Sequence, residues 1–119
     1  VYINFGCVIL DCAEVRIGKN TLIGPNLGIY PVNHSIDAQE RIHGGCQSKP
    51  VQIGKNVWLG GDVKITAGVS IGDDAIIGTG SVVTRDIPPR VIAVGNPCRV
   101  LREITGADRT GYSWKPQIL

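Results

Sequence analysis

The chain has 119 residues, 43% of them hydrophobic and 18% charged, with a formal net charge of only +2 at pH 7. That balance excludes a disordered segment, and so mild a charge predicts neither a nucleic-acid nor a membrane surface. The 16 glycines, and 29 Ile plus Val against 12 Leu plus Ala, exclude a helix-rich domain and predict β-structure.

The sequence contains no methionine, so the natural start is expected to lie upstream. No apolar run is long enough for a membrane-spanning helix, and a cytoplasmic setting is expected. The four cysteines, Cys7, Cys12, Cys46 and Cys98, are irregularly spaced without a C-x-x-C pair, which predicts free thiols rather than a disulfide framework or a zinc ribbon.

In chain order, the sequence divides into hexads that begin at Phe5, Asp11, Ile17 and Ile23, and again at Ile53, Leu59, Ile65, Ile71, Ile77 and Val83. The first position is aliphatic except at Phe5 and Asp11. The second is glycine at Gly6, Gly18, Gly24, Gly54, Gly60, Gly72 and Gly78. The fifth is small or aliphatic, and the fourth is mostly Asn, Asp or Gly, residues that tolerate positive φ in a tight turn. Such a unit predicts a short strand followed by a corner, and three units close a triangular coil. Coils stacked about 4.8 Å apart pass their backbone hydrogen bonds to the next, which makes an all-β parallel β-helix. The repeat alone leaves the hand of the coil open.

The repeat breaks after Ile29 and resumes in phase near Val51, predicting a loop insertion over residues 30–50. Long insertions on a finished scaffold are often functional, though a plain solvated surface loop has the same composition. This one contains both histidines, His34 and His43, with Asp37, Glu40 and Arg41. Beyond Pro97 a brief helix is expected over Arg99 to Ile104. The domain is therefore 1–104, followed by a tail over 105–119.

The hexads Ile53–Trp58, Ile71–Ile76 and Ile77–Val82 resemble those of the hexapeptide-repeat acyltransferases. Taken with Asn4-Phe5, His34-Ser35-Ile36-Asp37, Asn56 to Gly60, Val83 to Pro88 and Gly95 to Val100, they resemble one branch, the maltose, galactoside and nodulation-type O-acetyltransferases. The resemblance implies a left-handed helix, a homotrimer with active sites between subunits, and acetyl transfer from acetyl coenzyme A to a hydroxyl of a sugar such as maltose, glucose or a galactoside. It places His34 at the family's catalytic histidine. Imidazole is matched to the chemistry, because a hydroxyl attacking a thioester must lose a proton near neutral pH. The tautomer of His34 would be fixed by a nearby group, with Asn33 and Asp37 both in reach along the chain.

By the same resemblance, Trp58, Gly61, Thr79, Thr84, Arg85, Arg99 and Arg102 fall at coenzyme-contacting positions. A pantetheine arm suits a flat groove of small residues, and the anionic nucleotide end suits arginine. Asn4 and Asp11 match acceptor-contacting positions, although Cys12 stands where galactoside-type members tend to carry a second acid. No metal is implied: a zinc hydratase on the same fold would need three histidines, and the chain has two. A scaffold that only oligomerises is the remaining alternative.

Overall fold

The computed structural model describes residues 1–113. Short parallel strands stack into three sheets that form the sides of a triangular prism. The first sheet runs β1 (Tyr2–Ile3), β4 (Leu22–Ile23), β9 (Trp58–Leu59), β12 (Ile76–Ile77), β14 (Val91–Gly95) and β15 (Cys98–Glu103). The second runs β2 (Val8–Ile9), β5 (Gly28–Tyr30), β10 (Lys64–Thr66) and β13 (Val82–Val83), and the third β3 (Val15–Ile17), β8 (Val51–Ile53) and β11 (Ser70–Ile71).

One residue of each hexad points inward and stacks on its equivalent in the next coil. The columns are Ile3, Ile23, Leu59, Ile77 and Ala93; Ile9, Ile29, Ile65 and Val83; and Ile17, Ile53 and Ile71, with Ile87 bridged to Ile71. The fifth-position residues Leu27, Val57, Val63, Val69 and Ala75 fill the space between them, all buried. Burying each large side chain contributes about 1.5–3 kcal/mol, so the core is assembled coil by coil.

The corners are made by residues with positive φ: Asn20, Asn26, Asn56, Asp62, Asp74, Gly68 and Gly80. Those with side-chain amides and carboxylates also form a ladder, with Asn20 donating to Asn56 at 3.1 Å and Asn56 to Asp74 at 2.8 Å. The second-position glycines answer a different demand. A Cβ on Gly54 would lie 2.8 Å from the Asp73 backbone nitrogen, and one on Gly72 only 2.4 Å from that of Pro89, so the backbone of the next coil occupies the side-chain position.

The pattern of the repeat is corrected at both ends. Tyr2 pairs with Leu22 and Val8 with Gly28, so the first coil is two residues longer than a regular coil such as the one from Trp58 to Ile76. The inward residues there are Ile3 and Ile9, not Phe5 and Asp11, and Gly6 is a corner residue with φ +72°. Near the other end Ile87, rather than filling a fifth position, pairs with Ile71. The helix expected over Arg99 to Ile104 is instead β15, antiparallel to β14. Its Val-Leu content and the turn at Gly95 to Pro97 favour a hairpin that caps the last coil with buried Cys98. A 3-10 turn over Gly106–Asp108 follows. Residues 114–119 of the expected tail lie outside the described residues.

Candidate active site

The insertion is an ordered hairpin and not a structureless loop. Strand β6 (Val32–His34) pairs antiparallel with β7 (Cys46–Ser48), and α1 (Ala38–Ile42) crosses the tip. Asp37 caps α1 by accepting the Glu40 N–H at 3.0 Å, while Arg41 Nη1 donates to the carbonyls of Ser35 at 3.1 Å and Ile36 at 3.0 Å. The hairpin is thus held by its own polar groups.

Its register fixes the neighbours of His34. Ser35 N–H donates to the Gly45 carbonyl and Lys49 N–H to that of Pro31, so the hydrogen-bonded pairs are the odd residues of β6. His34 and Cys46 are therefore a non-hydrogen-bonded pair, the class in which cross-strand side chains come closest. Both line a cavity of about 540 Å³ with Asn33, Ser35, Ile36 and Gln47. Cys46 was invisible to sequence reasoning, because its position beside His34 depends on hairpin register across a helix. Asp37, one of the two groups considered for orienting His34, has a carboxylate oxygen committed to capping. His43 ends α1 with Nδ1 2.7 Å from the Gln39 carbonyl, a local role away from His34.

The coenzyme candidates divide between two edges of the prism. Trp58 stands half-exposed on the outer face of the first sheet, in a column with Tyr2, Leu22, Ile76 and Ile92. Gly61 and Thr79 follow one another on successive coils at the corner after this sheet, because Gly60 N–H bonds the Ile77 carbonyl. A Cβ on Gly61 would meet nothing nearer than Pro25 at 3.6 Å, an ordinary contact. The prism therefore demands glycine at 60, where a Cβ would press on Thr79, but not at 61.

Arg99 and Arg102 lie on β15, three residues apart, a spacing that in a regular strand sends side chains to opposite faces. A bulge at Leu101 changes this. Arg99 pairs with Val94 and Arg102 with Ile92, two positions of β14 that share the outer face, so both arginines stand beyond Trp58 on one side of the first sheet. With Ile76 and Ile92 between them, Trp58 and Arg102 are three strand spacings apart, roughly 14 Å. Arg102 is paired with Asp108 through Nη1–Oδ2 at 2.9 Å and Nη2–Oδ1 at 2.8 Å. The guanidinium, with help from the Thr105 N–H, holds the Asp108 carboxyl down at about 2.

Asp11, the hairpin, Thr84 and Arg85 occupy a different edge, the corner between the second and third sheets. Leu10, Tyr30, Thr66 and Thr84 stack there, and the hairpin leaves directly after Tyr30. Asn4, whose Oδ1 accepts the Phe5 N–H at 2.7 Å, lies with the Trp58 group at the other corner. Within one chain, then, His34 and Trp58 are on edges separated by the second sheet. A concavity of about 960 Å³ holds none of these residues; it runs over the third sheet, lined by Arg16, Gln52 and Ser70 together with the stacked Gly18, Gly54 and Gly72. Among the described residues no group of three or more His, Cys, Asp or Glu could hold a metal ion, and no helix is long and apolar enough to cross a membrane.

Residues 50–85 match the family model for the bacterial transferase hexapeptide (six repeats). The chain is 48% identical over 111 residues to the galactoside O-acetyltransferase of Escherichia coli, covering 93% of this chain and 55% of that protein. Two solved structures are similar. A maltose O-acetyltransferase from Clostridium difficile superposes with a TM-score of 0.86 at 52% identity, covering 87% of this chain and 56% of the other. A galactoside acetyltransferase in complex with coenzyme A superposes with a TM-score of 0.90 at 45% identity, covering 99% and 59%. The coil is left-handed, as in these neighbours. The chain spans a little over half the length of the relatives it matches.

Proposed function

Because this chain belongs to the hexapeptide-repeat acetyltransferase family, we propose that it transfers an acetyl group from acetyl coenzyme A to a hydroxyl of a sugar such as maltose, glucose or a galactoside. One observation carries the reading furthest: the hairpin bearing His34 and the outer face bearing Trp58, Arg99 and Arg102 lie on different edges of one chain. A homotrimer resolves this, with His34 of one protomer facing the Trp58 groove of its neighbour. The exposed apolar column of Tyr2, Leu22 and Trp58 supports such an association.

In this mechanism His34 removes the proton from the acceptor hydroxyl as its oxygen attacks the thioester carbonyl carbon. The tetrahedral intermediate collapses, the carbon–sulfur bond breaks, and the imidazolium returns the proton to the departing thiolate. Gly61 leaves room for the pantetheine arm beside Trp58, Thr79 borders it, and Arg99 and Arg102 supply cations for the nucleotide end. Thr84 and Arg85, on the hairpin's edge, meet the coenzyme from the other side of the interface, while Asn4 and Asp11 contact the acceptor. A cytoplasmic setting fits four free thiols and a thioester substrate.

The test is a titration of the intact protein with coenzyme A, followed by an acceptor screen with acetyl coenzyme A over maltose, glucose and galactosides. Saturable binding with ester formation is expected. Absence of coenzyme A binding by the assembled protein would leave only an oligomerising scaffold.

A further inference from the structure

Arg102 has five N–H donors in a planar fork. Three are already used. Nη1 donates to Asp108 Oδ2 at 2.9 Å and to the Glu103 carbonyl at 3.1 Å, and Nη2 donates to Asp108 Oδ1 at 2.8 Å. The two without a partner among the described residues, on Nε and on the far side of Nη2, are neighbours along one edge of the guanidinium. That edge is a bidentate donor of the shape that grips a phosphate.

Asp108 is itself well anchored. Its Oδ2 also accepts the Thr105 N–H at 2.9 Å, and the Thr105 hydroxyl accepts the Ala107 N–H at 3.3 Å, closing a capping box around the Gly106–Asp108 turn. A surface ion pair of this kind adds little to stability, because ordering a long side chain consumes most of the Coulombic gain. What it does change is the arginine's freedom. A loose Arg102 would lose rotamer entropy on meeting a phosphate, whereas one already fixed by Asp108 has lost it beforehand.

We propose that Asp108 is a positioning residue: it fixes Arg102 so that the two-donor edge left open among the described residues is presented to a phosphate group of the coenzyme. The inference rests on the reading of the Trp58 face as the coenzyme side, and it adds a residue, a geometry and a role that the hexad pattern does not contain.

Calorimetric titration of the intact assembled protein with coenzyme A, and separately with phosphate-free pantetheine, tests it. Asp108→Ala should weaken coenzyme A binding about fivefold and leave pantetheine binding unchanged, since only the former bears phosphates. In an Arg102→Ala background the same substitution should have no further effect, the signature of action through the arginine. Asp108→Asn, which keeps one acceptor oxygen, should fall between. If Asp108→Ala weakens both ligands equally, the turn is merely structural and the proposal fails. It also fails if Arg102→Ala weakens coenzyme A binding while Asp108→Ala does not. If wild-type protein binds no coenzyme A at all, the underlying functional reading is what has failed.

Discussion

The prism and the hairpin inserted into it are built by opposite rules. In the prism a residue's environment follows from its place in the hexad, so Ile29, Ile65 and Val83 are interchangeable members of one column and all are buried. In the hairpin nothing repeats. Asp37, Arg41 and Gly45 each make a bond that has no counterpart elsewhere, and His34, Ile36 and Cys46 are exposed. The prism is stable because it is redundant; the hairpin can carry chemistry because it contributes little to the core and its side chains are not spent on packing. Substitutions should separate the two, those in the hairpin affecting turnover and those in the prism affecting stability.

The largest effect is expected at His34. His34→Ala should lower kcat about 10³-fold, equivalent to roughly 4 kcal/mol, while leaving the melting temperature and coenzyme A affinity unchanged. Steady-state kinetics paired with thermal unfolding checks this, and turnover within a factor of a few of wild type would place the base elsewhere.

Next is the close approach of coils. Gly54→Ala places a Cβ 2.8 Å from the Asp73 nitrogen and should destabilise by about 3 kcal/mol, read as a shift in denaturation midpoint, with kcat preserved in the fraction that stays folded. Gly80 offers the contrast within the prism. Its φ of +77° is left-handed but nothing lies within 4 Å of the added Cβ, so Gly80→Ala should destabilise by only about 1 kcal/mol. Between these lies Thr21, buried with its hydroxyl donating to the Gly54 carbonyl at 2.9 Å and accepting the Val57 N–H at 3.2 Å. Thr21→Val keeps the shape but strands both backbone groups, and about 2 kcal/mol should be lost.

These two rules also explain what could be read from the sequence. The six-residue period gave the columns, the corners and the glycines directly, because each coil meets only its neighbours and local pattern equals tertiary contact. It failed where coils change length. The two extra residues before Ile17 leave the hexad phase superficially intact, since Gly6 serves equally well as a corner or as a second-position glycine. Only the pairing of Ile3 with Ile23 distinguishes the two readings. The β15 strand reads as a helix in sequence because Arg-Val-Leu-Arg-Glu has ample helix propensity, and its pairing to β14 is a tertiary fact that outweighs it. At the candidate site, His34, Trp58, Gly61 and the arginines could be picked out as residue types. Their division between two edges, the Cys46 neighbour and the bulge that turns Arg99 and Arg102 to one face depend on register, which the residues do not spell out.

The turn at Asp108 tests whether the comparison extends past the prism's capped end, and its effect is the smallest. The Asp108 carboxyl is depressed from the usual 3.8 to about 2, first by its hydrogen bonds to Arg102 and then by that to Thr105. A carboxylate lowered on folding binds fewer protons in the native state, so its contribution is complete above about pH 4 and is lost as pH falls through about 2. A carbon-detected NMR titration should therefore place the Asp108 midpoint near 2 in the wild type, and Arg102→Ala should return it toward 3.8. The pair is exposed, with side chains 51% and 33% accessible, so thermal stability at neutral pH should barely move in Arg102→Ala. A large drop in melting temperature would assign this turn to the prism's structural logic. A shifted titration with unchanged stability would set it beside the hairpin, whose polar groups hold one another in place without adding to the core.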